Sequence, residues 1–534
     1  MAAGVILGAA GVVGLVVFLA LYGRAFPQAA VELRVSRAQA REIARRYVTE
    51  RGFDLAGYRS AVAFEADQDA LAYFERTLGP ERASALAAGS GGGVPLWFWA
   101  VRWFVPLQPE QFRVHVASSG DVIMFRRWLD EEAAGATLEQ SAGRLVAEEF
   151  ARAIAAADLS GYEPVGSWSQ ARRRRTDHEF TWRQKAFNAG GAQLWLQAGL
   201  QGERVGAFLR RVKVPDAFVR SLRREQAVGA LLSQVSLVVG IALVITAAVV
   251  FLEKFRVDDV RWSFALPLAI AAGAAGVLNA LNSLPLVEMR YRTELDHRVF
   301  LARHVLARLV AVPVLMALAL LVGGAGEALA RETRPATVAV ADALLAGDPA
   351  APGIVESTLA GYAVAGVFLG YLAIFYAAGR RFFGVWLPPQ GPYANVLSTP
   401  APFLDPLTVG LTAAVGEELT YRLLAIPLLE KYVHTLWPAL LVPAVAWAFG
   451  HSRYAVYPVY VRGIELTLAG LAFGYAFVTF GVWTVIVAHY AVNAVVAGMP
   501  LVRSKNGYLL ASGTAVVVLA LVPAAASLLL LLSA

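Results

Sequence analysis

The chain has 534 residues, of which 57% are hydrophobic and only 16% are charged, and its formal net charge is +7. Because ordinary soluble domains carry about 25% charged residues, this composition indicates a membrane protein. The chain contains no cysteine, which excludes a disulfide framework, a thiolate metal site and a cysteine nucleophile. We expect no nucleic-acid partner, because excess basic residues in a membrane protein are typical of its cytoplasmic flanks.

Long apolar stretches predict a mainly α, polytopic bundle of about ten helices, since a helix needs about 20 apolar residues to cross a bilayer. The first stretch, Val5 to Leu21, has no basic segment before it and is interpreted as an uncleaved anchor. A polar region follows, up to Gln226. The remaining stretches are Val228 to Leu252, Phe264 to Leu286, Val305 to Val322, Leu359 to Ala378, Leu404 to Leu429, Trp437 to His451, Ile464 to Phe480, Val482 to Met499 and Leu509 to Leu532.

The polar region contains one pattern twice, which predicts an inserted soluble α+β domain made of two similar repeats. Each copy has an amphipathic helix, a Gly-Tyr pair, and alternating strands with a Gly-acidic turn between them, as in AQLWLQAGLQGERVGAFLRRV. Such turns predict hairpins. Each copy resembles the small PepSY modules found near bacterial membrane peptidases, and we interpret it as a binding or regulatory unit, or else a structural spacer. The predicted division is 1–23, 24–226, 227–358 and 359–534.

Lysine and arginine residues near the helix ends predict the orientation in the membrane. Those on the side of the soluble domain are Arg24, Arg34, Arg37, Arg220, Arg223, Arg224, Arg290, Arg292, Arg298, Arg303, Arg380, Arg381, Arg453, Arg503 and Lys505. Fewer lie on the opposite side, namely Lys254, Arg256, Arg261, Arg331, Arg334 and Lys431. We therefore expect the soluble domain to face the cytoplasm.

Ionisable residues inside apolar segments are candidate functional residues, because each costs about 2.5–3.5 kcal/mol to insert. Of the seven histidines, only His451 and His489 lie well inside apolar segments. Glu417 and Glu418 lie in a third segment, and Arg422 follows Glu418 by four residues. On a helix this spacing pairs Glu418 with Arg422 and leaves Glu417 on another face as the free carboxylate.

Two more pairs share the four-residue helical spacing. His489 and Asn493 place an imidazole and an amide on one face, and Trp447 can buttress His451. This set suits hydrolysis of an amide bond, with Glu417 exchanging a proton with water and the leaving amine, and an imidazole and the amide stabilising the oxyanion. Alternatively, His451, His489 and a carboxylate hold zinc or another divalent metal ion that acidifies a bound water. The residues leave both mechanisms open.

Three motifs resemble the signature blocks of one family, the CAAX protease and bacteriocin-processing (CPBP) intramembrane peptidases, also called the type II CAAX prenyl endopeptidase or ABI family. The motifs are GEELTYR from Gly416, WAFGH from Trp447 and HYAVN from His489. They match the pattern EExxxR, FxxxH and HxxxN, each in its own apolar segment, over roughly residues 360 to 530. Trp447 stands where phenylalanine is usual, which we interpret as a change of packing only.

The resemblance implies an intramembrane endopeptidase, metal-dependent or glutamate-dependent, in a catalytic core at 359–534. It implies that Glu417 is the catalytic base, His451 its partner or a metal ligand, and His489 with Asn493 the oxyanion or metal site. The expected partners are the lipid bilayer, in a prokaryotic plasma membrane, and a membrane-associated peptide or protein, such as a prenylated CAAX protein. The alternatives are a non-catalytic binding or immunity protein on the same fold, and a transporter. The sequence predicts no oligomeric state.

Overall fold

The computed structural model describes residues 2–26, 33–87, 96–155, 159–340, 343, 350–388 and 393–533. It contains a bundle of apolar helices and, inserted after the first helix, a domain built on one antiparallel sheet. We call this second part the sheet domain.

The sheet domain follows helix α1 (Ala2–Ala25). Its first half consists of α2 (Arg37–Thr49), β1 (Arg59–Ala66), α3 (Gln68–Leu78), α4 (Pro80–Ala87), β2 (Trp97–Phe104), β3 (Gln111–Ala117) and β4 (Val122–Trp128). Its second half consists of α5 (Gln140–Ala155), β5 (Tyr162–Ala171), β6 (Thr176–Gln184), β7 (Gln193–Gln201) and β8 (Arg204–Lys213).

The eight strands form one sheet in the order β1-β2-β3-β4-β8-β7-β6-β5. Each half is therefore a four-stranded meander that follows a helix, and the two meanders join where β4 pairs with β8. The predicted helix and hairpins occur in both halves, but the sequence analysis did not assign β1 and β5. The sequence pattern does not indicate strand β5, because Pro164 and Gly166 are poor strand formers. These two residues flank a register shift in the strand.

Helix α2 shows how a helix of the sheet domain packs. Its buried residues Ala40, Ala44 and Val48 recur every four positions, so they form one stripe along the helix. This stripe packs on β2 and β3. The indole of Trp99 on β2 is fully buried and donates a 2.9 Å hydrogen bond to the carbonyl oxygen of Val35, which fixes the chain entering α2.

The bundle contains eight described helices that are long and apolar enough to cross a membrane. They are α1, α6 (Asp216–Arg256), α7 (Trp262–Asn282), α9 (His297–Thr333), α10 (Pro352–Phe382), α15 (Tyr460–Phe480), α16 (Val482–Val502) and α17 (Gly507–Ser533). Shorter helices complete it: α8 (Leu284–Met289), α11 (Tyr393–Ser398), α12 (Leu404–Glu418), α13 (Ala425–Val433) and α14 (Leu436–Gly450). The protein is an integral membrane protein, as the sequence predicted.

Helices α12 and α13 form one continuous rod, joined by the π-helical segment Leu419–Leu424. At the end of this rod that lies away from the sheet domain, Glu430 accepts two 2.6 Å hydrogen bonds from Arg334 of the neighbouring chain segment. Lys431 lies 3.0 Å from Glu332, which also pairs with Lys254 of α6. The basic residues of this face thus tie helices together.

The first half of the sheet domain sits directly on the helix ends. The amide of Phe64 on β1 donates a 2.7 Å hydrogen bond to the hydroxyl of Ser398, so α11 covers this edge of the sheet. Glu75 of α3 forms an ion pair with Arg380 at the end of α10. Burial raises the pKa of Glu75 to about 6, although the guanidinium of Arg380 acts in the opposite direction.

Polar and small residues hold other helices together. The amide of Asn282 exchanges two 3.0 Å hydrogen bonds with the backbone of Ala401, so it serves helix packing. Helices α1 and α10 cross closely at glycines, and a Cβ on Gly366 would overlap the backbone of Gly11. Close approach through small residues is a common way for helices to associate in membranes.

Candidate active site

Three helices bring five of the six predicted site residues together. Glu417, Glu418 and Arg422 lie where α12 passes into the π-helical segment, His451 directly follows α14, and His489 lies in the middle of α16. The C-terminal ends of α12 and α14 therefore meet beside the centre of α16, and the polar groups converge at this point.

Glu417 is the focus of this cluster. Its Oε2 atom lies 3.9 Å from Nε2 of His451 and 3.9 Å from Nε2 of His489. The indole nitrogen of Trp447 donates a hydrogen bond to the same oxygen. The Glu417 side chain keeps 28% of its exposure, the largest share among the acidic and imidazole groups of the cluster. This carboxylate is therefore not fully enclosed by the protein.

The Nε2 atoms of both imidazoles face Glu417, and a hydrogen bond at Nδ1 orients each ring. Nδ1 of His489 lies 2.6 Å from the Glu418 carboxylate, and Nδ1 of His451 lies 2.9 Å from the carbonyl oxygen of Trp447. Because these oxygens only accept hydrogen bonds, each Nδ1 carries a proton, and in the neutral ring Nε2 is left with its lone pair. We assign the tautomers from these partners. Two lone pairs thus point toward Glu417.

Glu418 and Arg422 form the buried pair that their spacing predicts. Nη1 of Arg422 lies 3.2 Å from Oε1 of Glu418, and the two side chains are 2% and 0% exposed. The guanidinium also lies over the rings of Trp447 and Phe473, at 4.2 and 5.5 Å from their centres. Glu418 therefore has two tasks, since it balances a buried cation and orients His489. A buried charge without such a partner is strongly destabilising.

The sixth predicted residue, Asn493, lies on α16 one turn beyond His489. It faces α12, where its Cβ would lie 3.5 Å from a Cβ placed on Gly410. Among the residues that the structure describes, Asn493 makes no side-chain hydrogen bond to Glu417, Glu418 or either histidine. It shares the helix face of His489, as predicted, but it is not part of the hydrogen-bonded cluster.

Two contacts of the site were missed by the sequence analysis. Trp447 was expected to affect packing only, which is wrong, because its N–H group donates a hydrogen bond to Glu417, and phenylalanine has no such donor. The bond between Glu418 and His489 joins residues 71 positions apart, so no local spacing predicts it. The indole donor could have been suspected from the residue type, because a buried tryptophan N–H group usually finds an acceptor.

The donor atoms suit a metal ion in type but are not spaced for one. Two Nε2 lone pairs and a carboxylate are a common ligand set for catalytic zinc, with each imidazole held by an outer partner. Two such ligands on a tetrahedral zinc ion lie about 3.3 Å apart, whereas the separations here are 3.9 Å. No group of three His, Asp or Glu side chains in the described ranges is close enough to hold a metal ion as it stands.

A family model matches the part of the chain that contains this cluster. Residues 399–495 match the family model described as type II CAAX prenyl endopeptidase Rce1-like. The matched region contains Glu417, Glu418, Arg422, His451, His489 and Asn493, which lie in the three motifs from which the resemblance was drawn. The resemblance is therefore confirmed for this region of the membrane core.

A curated relative matches a similar fraction of the chain. The sporulation-killing factor biosynthesis protein SkfC of Bacillus subtilis (strain 168) is 32% identical over 103 residues, which are 19% of this chain and 21% of that protein. The chain thus matches about a fifth of the relative's length. No solved structure matches the chain.

Proposed function

Residues 399–495 are of the Rce1-like type, and from this premise we propose that the chain is an intramembrane endopeptidase that hydrolyses a peptide bond with water activated by Glu417. The observation that carries the proposal is the convergence of two oriented Nε2 atoms on one partly exposed carboxylate oxygen, each at 3.9 Å. The two alternatives, a non-catalytic binding protein and a transporter, have no need of this arrangement.

The geometry suits a water molecule held at the carboxylate. Two polar atoms 3.9 Å apart can share one water at hydrogen-bond distances of about 2.8 Å. Glu417 takes a proton from this water, the oxygen attacks the substrate carbonyl, and the same proton passes to the leaving amine as the C–N bond breaks. The oxyanion that forms in between would accept a hydrogen bond from the amide of Asn493 and, when the ring is in its imidazolium form, a second one from the Nε2–H group of His489.

The mechanism can operate with or without a bound metal ion. If zinc or another divalent metal is bound, His451, His489 and Glu417 would hold it, and it would supply an acidified water. Glu418 and the carbonyl of Trp447 would then keep both imidazoles in the tautomer that a metal requires, because they hold Nδ1. The orientation of the two rings serves the reaction in either case.

The substrate is proposed to be a membrane-associated peptide or protein. The family description suggests a prenylated CAAX protein, and the name of the Bacillus relative suggests a part in the biosynthesis of a killing factor. We propose that the substrate enters from the face of the sheet domain, because the segment after His451 packs there, where Tyr457 stacks on Trp386. On the orientation predicted from the basic residues, this is the cytoplasmic face of a prokaryotic plasma membrane.

Glu417→Gln tests the proposal. Purified protein in liposomes is given a farnesylated peptide that ends in a CAAX sequence, or the same peptide without the lipid, and products are identified by mass spectrometry. We expect Glu417→Gln to lower the cleavage rate at least about 100-fold, because it removes the proton acceptor. Glu430→Gln, which changes a carboxylate on the far face, is the matched control and should cleave as the wild type does.

Two outcomes would overturn the proposal. One is a folded Glu417→Gln variant that cleaves as fast as the wild type. The other is that neither peptide is cut and membranes carrying the two proteins contain the same peptides, so that no product depends on Glu417. Activity lost on chelation and restored by zinc would support the metal-dependent form, and full activity after extensive chelation would eliminate it.

A further inference from the structure

Helix α6 lies outside the region that matches the family, yet one of its faces is built to contact the active-site segment. Four of its residues are buried, and three of these, Leu222, Gly229 and Ser236, recur every seven positions. Residues with this spacing lie on one face of a helix. The rest of α6 is largely exposed, as expected of a helix that faces lipid.

Two serines of this face hold the last turn of α14. Ser233 donates a 2.8 Å hydrogen bond to the carbonyl oxygen of Gly450, and Ser236 donates one to that of Ala446. The last four carbonyl groups of a helix lack partners within the helix, so Ser233 supplies a partner that the end of α14 would otherwise lack. His451 is the next residue, and Trp447 lies within the held turn. Both are in contact with Glu417.

The face approaches the chain after His451 equally closely. A Cβ placed on Gly229 would overlap the carbonyl oxygen of Ser452, so only glycine allows α6 to lie this near. One turn earlier, Gln226 donates a 3.2 Å hydrogen bond to the hydroxyl of Tyr457. The active-site segment is therefore held by α6 on both sides of His451.

The same helix is also fastened to the sheet domain, at its N-terminal end. It begins at Asp216, three residues after β8 ends at Lys213. Arg223 then makes two hydrogen bonds, of 3.0 and 2.9 Å, to the carboxylate of Asp69 on α3. Contacts with the sheet domain and contacts with the His451 segment thus follow one another along a single unbroken helix.

We propose that Ser233 and Ser236 are positioning residues that determine where His451 lies relative to Glu417. Through them, α6 transmits the position of the sheet domain to His451 and Glu417. The inference rests on the proposed peptidase function. Its physical basis is that a small shift of an imidazole beside the attacking water raises the barrier of the reaction without changing how the substrate binds.

The serine variants test the first half of this inference. Ser233→Ala and Ser236→Ala should each lower kcat for the farnesylated CAAX peptide about 3- to 10-fold, as expected for the loss of one hydrogen bond, with KM unchanged. Thr246→Ala is the matched control and should keep the wild-type kcat, because the Thr246 hydroxyl bonds, among the described residues, only to Ala242 of its own helix. If both serine variants keep the wild-type kcat while Glu417→Gln is inactive, the positioning role is wrong and the peptidase function stands. If Glu417→Gln remains active, the peptidase function itself fails.

A disulfide tests the contact without any need for activity. The Ser236 oxygen lies 3.0 Å from a Cβ placed on Gly450, about the distance from a Cβ to the distal sulfur of a disulfide. Because the chain has no cysteine of its own, the pair Ser236→Cys with Gly450→Cys should cross-link in oxidised membranes. The control pair Thr246→Cys with Gly450→Cys should not. Equal yields from the two pairs would overturn the inference, whatever the activity.

Charge reversal tests the second half. Asp69→Arg places two cations together at the α3 contact, and we expect it to lower kcat several-fold, with recovery in the swap Asp69→Arg with Arg223→Asp. The swap restores the contact without restoring the original residues, so recovery shows that the contact itself affects kcat. No effect of Asp69→Arg, or no recovery in the swap, would exclude α6 as the connection.

Discussion

Glu418→Gln separates the two tasks of the buried carboxylate at the active site. The substitution removes the charge that balances Arg422 and weakens the contact that orients His489, but it changes the side-chain volume little. Glu418→Gln combined with Arg422→Met removes both charges together and leaves His489 without its carboxylate. Stability should therefore depend on whether one or both residues are changed, whereas activity should depend on Glu418 alone.

The magnitudes follow from burial. Glu418 and Arg422 are 0% and 2% exposed, so the single substitution should lower the free energy of unfolding by about 3–5 kcal/mol, the usual cost of leaving one buried charge unpaired. The double substitution should recover most of this. It still loses the contact of the guanidinium with the Trp447 ring at 4.2 Å, which is worth about 1–2 kcal/mol. Activity should fall about 100-fold in both variants, because a neutral amide holds the His489 ring less firmly than the carboxylate does.

The two quantities are measured on the same samples. Equilibrium unfolding in mixed micelles gives stability, and cleavage of the farnesylated CAAX peptide at a temperature where all variants are folded gives kcat/KM. A single variant as stable as the wild type would contradict the buried ion pair. A double variant that recovers activity together with stability would show that Glu418 does not orient His489.

Three further substitutions test contacts away from the active site. Because the pKa of Glu75 is raised to about 6 from 4.5, the folded chain binds this proton more tightly, and stability should fall by about 2 kcal/mol as the pH rises through that interval. Glu75→Gln should abolish this slope in thermal unfolding, and an unchanged slope would refute the assignment. Asn282→Ala should lower the unfolding free energy by about 1–3 kcal/mol, since it leaves backbone groups of Ala401 unpaired; a neutral effect would argue against it. Gly366→Leu should separate α1 from α10 and abolish engineered cross-links between them, and persistent cross-links would count against the close crossing at Gly11.

Local spacing predicted the parts of the site that lie on one helix. The pairing of Glu418 with Arg422 follows from four-residue spacing, and so does the shared face of His489 and Asn493. Apolar stretches of sufficient length likewise predicted the helices of the bundle, because the bilayer imposes a length on each of them. Each of these features depends on a single helix, and either helical periodicity or the thickness of the bilayer is enough to predict it.

Contacts between distant segments could not be predicted in this way. The bond from Glu418 to His489 depends on how α12 packs on α16, and the role of Trp447 depends on which face of α14 meets Glu417. The contacts of α6 with Gly450 were also missed, because serine and glycine in an apolar helix indicate close packing without indicating the partner. The residue pattern of one helix predicts which residues share a face. It does not predict which other helix packs against that face.

The π-helical segment Leu419–Leu424 determines the rotation of α13 relative to α12 about their common axis. Glu417 at one end must face α14 and α16, while Glu430 at the other end must meet Arg334. Each residue of an α-helix turns the chain by about 100°, so the wider turn of the π-helical segment adjusts the offset between these two directions. Deleting Leu423 or Leu424, the two residues of the segment that follow the motif around Glu417, would rotate Glu430 away from Arg334 and break this contact of the far face, although the motif itself would be unchanged in sequence.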